Sequence, residues 1–164
     1  MSVPATTRVG LGFDVHPYSD DPGRSLVLGG VAFAGERGLA GHSDADVVAH
    51  AAADALLGAG RLGDLGSHFP DTDPAWEGAD SLKLLATVRQ RLDEAGWEPV
   101  NVDCAVVLDV PRLAPRRQEM EAALSRAAGA DVTVKGRRTE GLGALGRGEG
   151  VACWAVALVQ RRDR

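Results

Sequence analysis

Hydrophobic and polar residues alternate through residues 8–15, with Val9, Leu11, Phe13 and Val15 on one face, the period of a half-buried strand. A Ser-Asp-Asp-Pro-Gly turn at 19–23 separates this segment from a second strand-like run at 25–33. Ser43 or Asp44 then opens an Ala- and Leu-rich helix that should stop near Gly58 to Gly60. Residues 62–78, rich in Gly, Asp and Pro, predict a long functional loop. Beyond it the pattern predicts a helix over about 80–95 ended by Gly96, a strand over 100–110, and a helix over 115–128 with Pro115 in its first turn. Strands over 131–137 and 151–160 complete the series. The order β-β-α-α-β-α-β-β predicts an α/β (α+β) sandwich, a mixed sheet with helices packed on one face. Residues 151–159 are nearly all apolar, so the last strand is expected to be buried on both faces. In so small a chain, another subunit can cover the second face.

Composition narrows the picture. A chain of 164 residues with 45% hydrophobic and 25% charged residues suits one globular domain spanning 1–164. Its formal charge of −5 argues against nonspecific nucleic-acid binding, which depends on neutralising phosphates. A small phosphorylated substrate stays open, because local arginines or a metal can reverse the field. No signal-peptide pattern opens the chain, and no apolar run is long enough to span a bilayer. Cys104 and Cys153 lie in apolar β-rich stretches and are expected to be buried thiols, which fits a reducing cytoplasm.

Asp14 and His16 stand two apart on a strand, so their side chains share a face and converge. Gly10 and Gly12 lie on the same face and leave room for something to approach. His50 sits in the Ala-rich helix with Asp46 and Asp54 one turn to either side. An Asp, a His and a distant third His make a three-donor set with an open fourth position, the usual plan of a catalytic zinc. Spacing alone equally admits a capping Asp14 beside two unrelated histidines.

Ser43 is a good N-cap, and a helix N-terminus offers free N–H groups to an anion. Asp44 and Asp46 suit an ordinary cap as well, and would repel a phosphate unless a cation lay between. Ser43 and His50 lie about two turns apart on one side of the helix, and Asp46, four before His50, is placed to orient its imidazole. Asp64-Leu65-Gly66 and Phe69-Pro70-Asp71-Thr72-Asp73-Pro74 bring carboxylates into one loop, for a polyol or for turns. Gly146-Arg147-Gly148-Glu149-Gly150 is a glycine-rich turn whose Arg147 can grip phosphate as a planar fork.

Gly12-Phe13-Asp14-Val15-His16, Gly41-His42-Ser43-Asp44-Ala45-Asp46, Asp54-Ala55-Leu56-Leu57-Gly58, Leu62-Gly63-Asp64-Leu65-Gly66 and the two segments just named occur in one order and spacing. In this the chain resembles the 2-C-methyl-D-erythritol 2,4-cyclodiphosphate synthase family of the non-mevalonate isoprenoid pathway, over about residues 8–160. The resemblance implies a homotrimer with active sites between neighbouring subunits. It implies that Asp14, His16 and His50 hold Zn²⁺, and that Glu140 serves a second divalent cation, Mg²⁺ or Mn²⁺, on the substrate diphosphate. His42 and Ser43 match residues contacting the phosphates. Asp64, Leu65 and Gly66, with Phe69, Pro70, Asp71, Thr72 and Asp73, match the segments around the methylerythritol moiety. Leu108, Pro111, Arg112, Leu113 and Ala114 belong to the stretch that holds the cytidine, largely through backbone groups. The implied reaction is the intramolecular closure of a cytidyl diphosphate 2-phosphate with loss of CMP. No protein nucleophile is required, and no Ser-His or Cys-His pair is evident.

Arg137-Arg138-Thr139-Glu140 stands where the family usually has Thr-Thr-Thr-Glu, and the threonine at the position of Arg138 is regarded there as stabilising the transition state. Arg138 is expected to contact the cytidyl diphosphate; a solvent-directed arginine pair is the competing reading. Ala144 and Leu145 replace an aromatic-containing turn which, with Arg147 and Phe13, helps relatives form an axial cavity able to bind an isoprenoid diphosphate. Glu77 stands where relatives often have Lys. Two other functions stay open on sequence: a phosphoesterase using zinc-bound hydroxide, and a nonenzymatic trimeric binding module.

Overall fold

The computed structural model describes residues 6–162. A four-stranded sheet in the order β1-β6-β4-β5 is built from β1 (Thr7–Pro17), β4 (Trp97–Val107), β5 (Asp131–Arg137) and β6 (Gly150–Arg161). β6 pairs antiparallel with β1 and β4, while β4 and β5 run parallel, joined across one face by α4 (Arg117–Ala128). α1 (Val47–Gly60), α3 (Ser81–Glu94) and α4 cover that face, so the sheet is mixed and clad on one side. Leu56, Leu57, Leu85, Val88, Leu92, Met120 and Leu124 fill the layer between. No helix among the described residues is long and apolar enough to cross a membrane.

The second strand-like run is not one strand. It is a hairpin, β2 (Leu26–Leu28) and β3 (Val31–Phe33), outside the main sheet. Gly29 and Gly30 both have positive φ, 59° and 74°, as a two-residue hairpin turn requires. The chain reverses there because glycine alone takes both positions without a Cβ penalty.

The alternation in β1 was legible, but its faces are inverted relative to expectation. Val9 and Leu11 are 69% and 66% exposed, and Phe13 and Val15 also face outward. Helix α1 packs on the glycine side. A Cβ on Gly10 would fall 2.0 Å from the Ala55 carbonyl oxygen, and one on Gly12 would fall 2.0 Å from that of Ala51. The room left by these glycines is therefore filled by a helix backbone, whose alanines permit the same close approach. β6 also alternates rather than being buried twice: Val151, Cys153, Ala155, Ala157 and Val159 face the helices, while Trp154 and Val156 are exposed. Trp154 lies against Phe13, centroids 4.8 Å apart, in one outward apolar patch.

Candidate functional site

Helix α1 starts later than the sequence suggests. Its N-cap is Asp46, not Ser43 or Asp44. The buried Asp46 carboxylate accepts the N–H groups of Val48 and Ala49 at 3.1 and 3.2 Å. It also accepts those of Gly29 and Gly30 in the hairpin turn, at 2.8 and 2.6 Å. The helix N-terminus is thus closed by a carboxylate and tied to β2–β3. It offers no anion site, and Asp46 does not orient His50.

His50 is in the first turn of α1, facing the end of β1 where Asp14 and His16 share the inward face. His16 Nε2 and His50 Nδ1 each lie 3.0 Å from Asp14 Oδ2, and 3.3 Å from each other. A tetrahedral zinc with bonds of about 2.0–2.1 Å has ligand–ligand edges of about 3.3 Å, so the three donors fit one face of such a site. The outer nitrogens decide the tautomers. His16 Nδ1–H donates to the Ala40 carbonyl at 2.8 Å, and His50 Nε2 has hydroxyl partners in Ser81 Oγ at 2.8 Å and Ser43 Oγ at 3.1 Å. With a cation bound, neutral rings so held would turn two nitrogen lone pairs and a carboxylate oxygen to one point; without one, ring N–H groups face the Asp14 carboxylate. The donor set fits a cation.

Electrostatics agree with the geometry. Burial opposes ionisation of Asp14, but the hydrogen bonds and charges of His16 and His50 outweigh it and hold the carboxyl far below its ordinary range. Burial works to lower the His16 value; the Asp14 carboxylate prevails and raises it. Arg24 fixes the neighbouring loop, its guanidinium donating to the Leu39 and Ser43 carbonyls.

The donors open on a cleft of about 480 Å³ whose walls include His42 and Ser43 on one side and Leu65, Gly66, Phe69, Pro70 and Asp71 on the other. The 62–78 loop that forms this wall is more ordered than expected. It contains α2 (Leu65–His68), opened by a capping box between Asp64 and Ser67, and a 3-10 turn (Pro74–Trp76) capped by Asp73. Asp64 and Asp73 are therefore engaged as caps, while Asp71 faces the cleft. Thr72 is adjacent in the exposed turn. Phe69 packs edge-on to Trp76 at 5.0 Å, with the Arg91 guanidinium 5.0 Å over its ring. His42 Nε2–H reaches the Asp73 carbonyl at 3.1 Å and bridges the cleft mouth.

A second cavity, of about 440 Å³, is lined by Leu108, Pro111, Leu113 and Ala114 together with Arg112, Arg117, Arg137 and Arg138. The two cavities share no lining residue. Asp109 organises the rim. It accepts the Thr139 N–H at 3.1 Å and its hydroxyl at 2.5 Å, and lies 3.9 Å from Arg138 Nε. Glu140 has a left-handed φ of 53° and is exposed; it is not part of the Asp14–His16–His50 group within this chain. Ala144 lies in α5 (Gly143–Gly146) and Arg147 follows it, paired with Glu149 at 2.6 Å.

Ser81, Trp76 and Asp109 were not singled out by sequence, and Asp44 only as a helix cap. Ser81 has the look of an ordinary helix-start residue, and only folding brings it to an imidazole 31 residues away. Trp76 lies beside the segment that was singled out, and Asp109 lies within the stretch assigned to the cytidine.

A helix-clad mixed sheet with a three-donor centre at the mouth of a cleft defines a small α/β enzyme organised round a candidate metal site. The YgbB family model matches residues 7–160. A 2-C-methyl-D-erythritol 2,4-cyclodiphosphate synthase from Salinibacter ruber is 53% identical over 93% of this chain and 98% of its own length. One from Rubrobacter xylanophilus is 52% identical over 94% and 95%. The chain belongs to this family of synthases, enzymes of isoprenoid-precursor formation. Among solved structures, the bifunctional IspDF of Campylobacter jejuni matches with a TM-score of 0.90 at 37% identity, over 96% of this chain and 43% of that one. An IspF of Plasmodium falciparum in complex with CDP matches with a TM-score of 0.82 at 28% identity, over 96% and 97%.

Proposed function

We propose that this chain converts 4-diphosphocytidyl-2-C-methyl-D-erythritol 2-phosphate into 2-C-methyl-D-erythritol 2,4-cyclodiphosphate and CMP. An oxygen of the 2-phosphate forms a bond to the β-phosphorus as the bond from that phosphorus to the CMP oxygen breaks. The observation that carries the reading is the convergence of the Asp14, His16 and His50 donors beside a cleft walled by the 62–78 loop. Asp14, His16 and His50 hold Zn²⁺, and Glu140 serves a second cation, Mg²⁺ or Mn²⁺. When bound, these ions supply positive charge that lets two anionic phosphates approach.

The chain's own residues position the reactants. His42 and Ser43 contact phosphate at the cleft mouth. Asp64, Leu65 and Gly66, with the Phe69 to Asp73 segment, enclose the methylerythritol portion. Leu108 to Ala114 receives the cytidine, and Arg137 and Arg138 grip the diphosphate beside Thr139, which Asp109 keeps in place. Holding both phosphates in line converts a repulsive encounter into an intramolecular step.

The assembly is a homotrimer with each active site between subunits. Two features support it: the metal-side cleft and the arginine-lined cavity share no residue, and the outward face of β1 and β6 is apolar. Phe13 and Arg147, near Ala144, then border the axis, where an isoprenoid diphosphate is the expected ligand. Two free buried thiols, Cys104 and Cys153, suit the cytoplasm.

Incubation with the cytidyl substrate, Zn²⁺ and Mg²⁺ should release CMP and give the ³¹P signature of a cyclic diphosphate. Inorganic phosphate or a linear product would point to a phosphoesterase instead. Nucleotide binding without turnover would leave a binding module.

A further inference from the structure

The second nitrogen of His50 has an architecture that metal ligation alone does not explain. Nε2 lies 2.8 Å from the hydroxyl of Ser81, the first residue of α3, whose side chain is buried and lines no part of the cleft. That hydroxyl donates to Asp44 Oδ1. The other oxygen of Asp44 accepts the Ser81 N–H at 3.1 Å, so one carboxylate grips both donors of a single serine. Asp44 is itself anchored: its N–H donates to the Ala79 carbonyl at 3.0 Å, and Oδ1 accepts the Asp46 N–H at 3.2 Å. The hydroxyl proton is therefore committed to Asp44, and only lone pairs remain to face His50.

We infer that Ser81 and Asp44 are the positioning pair of the metal centre: they hold the His50 Nε2–H and so aim Nδ1 at the point it shares with Asp14 and His16. The arrangement is a carboxylate–histidine–metal alignment with a serine hydroxyl interposed, and it fixes the ring. Ser43 does not serve equally. Its hydroxyl is farther from Nε2, at 3.1 Å, accepts the Ala45 N–H, and borders the cleft. Ser81 touches no cleft space, so its contribution passes through His50. The pair also ties the end of the 62–78 loop to the centre, because Ser81 and Ala79 follow that loop directly.

This inference rests on the zinc reading of Asp14, His16 and His50, and the test separates the two. Nitrogen-15 correlation spectra of the zinc-loaded protein follow the His50 Nε2–H proton, and chelator competition reports zinc affinity. The expected result is an Nε2–H signal protected from solvent exchange in wild type that loses its protection in Ser81→Ala, with zinc affinity falling about 10–100-fold in that variant. In Asp44→Asn, where one oxygen cannot accept both Ser81 donors, the expected loss is smaller. A wild-type protein that binds no zinc would overturn the metal reading and this inference with it. Wild-type zinc binding with a His50 Nε2–H that exchanges freely with water would overturn this inference alone, whether or not the variants fold. Unchanged Nε2–H protection and zinc affinity in a folded Ser81→Ala protein would do the same.

Discussion

Adding one methyl group to Gly12 should damage both stability and the metal centre, and the structure sets the size of the effect. A Cβ there would lie 2.0 Å from the Ala51 carbonyl oxygen and 2.5 Å from the Ala55 nitrogen. Ordinary contact begins at 3.4 Å, so the gap must open by about 1.4 Å. Both obstacles are helix backbone, which no rotamer change can move. The strain of overpacking such a contact is about 3 kcal/mol, at the upper end of the usual range. For a chain of this size that corresponds to a fall in Tm of roughly 6–12 °C. Ala51 follows His50, and Gly12 stands two residues before Asp14. The displacement that relieves the clash therefore separates ligands from different elements, whose donors now stand 3.0 Å apart. A shift of about 1 Å takes that edge well beyond the roughly 3.3 Å a zinc site spans. Calorimetry of metal-free Gly12→Ala reads the first effect and zinc titration at a temperature where the variant is folded reads the second. A variant with wild-type Tm and wild-type zinc affinity would refute the close-approach argument.

Further outcomes follow from other parts of the molecule. Arg138→Ala should raise KM for the cytidyl substrate about tenfold, the loss of one charge-assisted contact; unchanged kcat and KM would leave Arg138 a solvent-directed side chain. The side-chain and backbone hydrogen bonds from Thr139, aided by the Arg138 charge, lower the Asp109 carboxyl below its ordinary 3.8. Its stabilising contribution is therefore complete above 3.8 and is lost as pH falls through the lowered folded value. Asp109→Ala should accordingly flatten the acid limb of a Tm-versus-pH curve recorded from about pH 6 to about pH 2; an acid limb of wild-type slope would contradict this. Trp154→Glu places a charge in the outward apolar patch, and light scattering should show the proposed trimer falling to single chains with loss of turnover. A trimeric, active Trp154→Glu would move the interface elsewhere.

The helices α1, α3 and α4 were legible from apolar spacing and the glycines that end them, and β5 from its alternation, although α1 starts at Val47 and α4 at Arg117, Pro115 lying in the 3-10 turn before it. The orientation of β1 was not. Hydrophobic alternation marks the apolar side as the inner one, but here the inner side carries Gly10, Gly12, Asp14 and His16, and the outer carries Val9, Leu11, Phe13 and Val15. Glycine has no side chain to register as buried, so a helix packed directly on backbone leaves no hydrophobic signal. The candidate metal donors were legible because a two-residue step fixes Asp14 and His16 on one face, and His50 stands isolated in an Ala-rich helix. Their supports were less so. Asp46 was assigned to His50 by helical spacing, yet it is drawn into the Gly29–Gly30 turn, and Ser81 takes the place beside the imidazole. Such partners are chosen by tertiary contact between segments far apart in sequence, which no local pattern encodes.

The carboxylate that stoppers α1 bears on the order in which ligands arrive. With Gly29, Gly30, Val48 and Ala49 all donating to Asp46, none of those amides is free to greet an incoming phosphate. Such a phosphate meets Asp14 and Asp71 on the cleft wall instead. On the proposed zinc reading, these two carboxylates would repel a polyanion from the metal-free cleft, so cation loading would precede substrate binding.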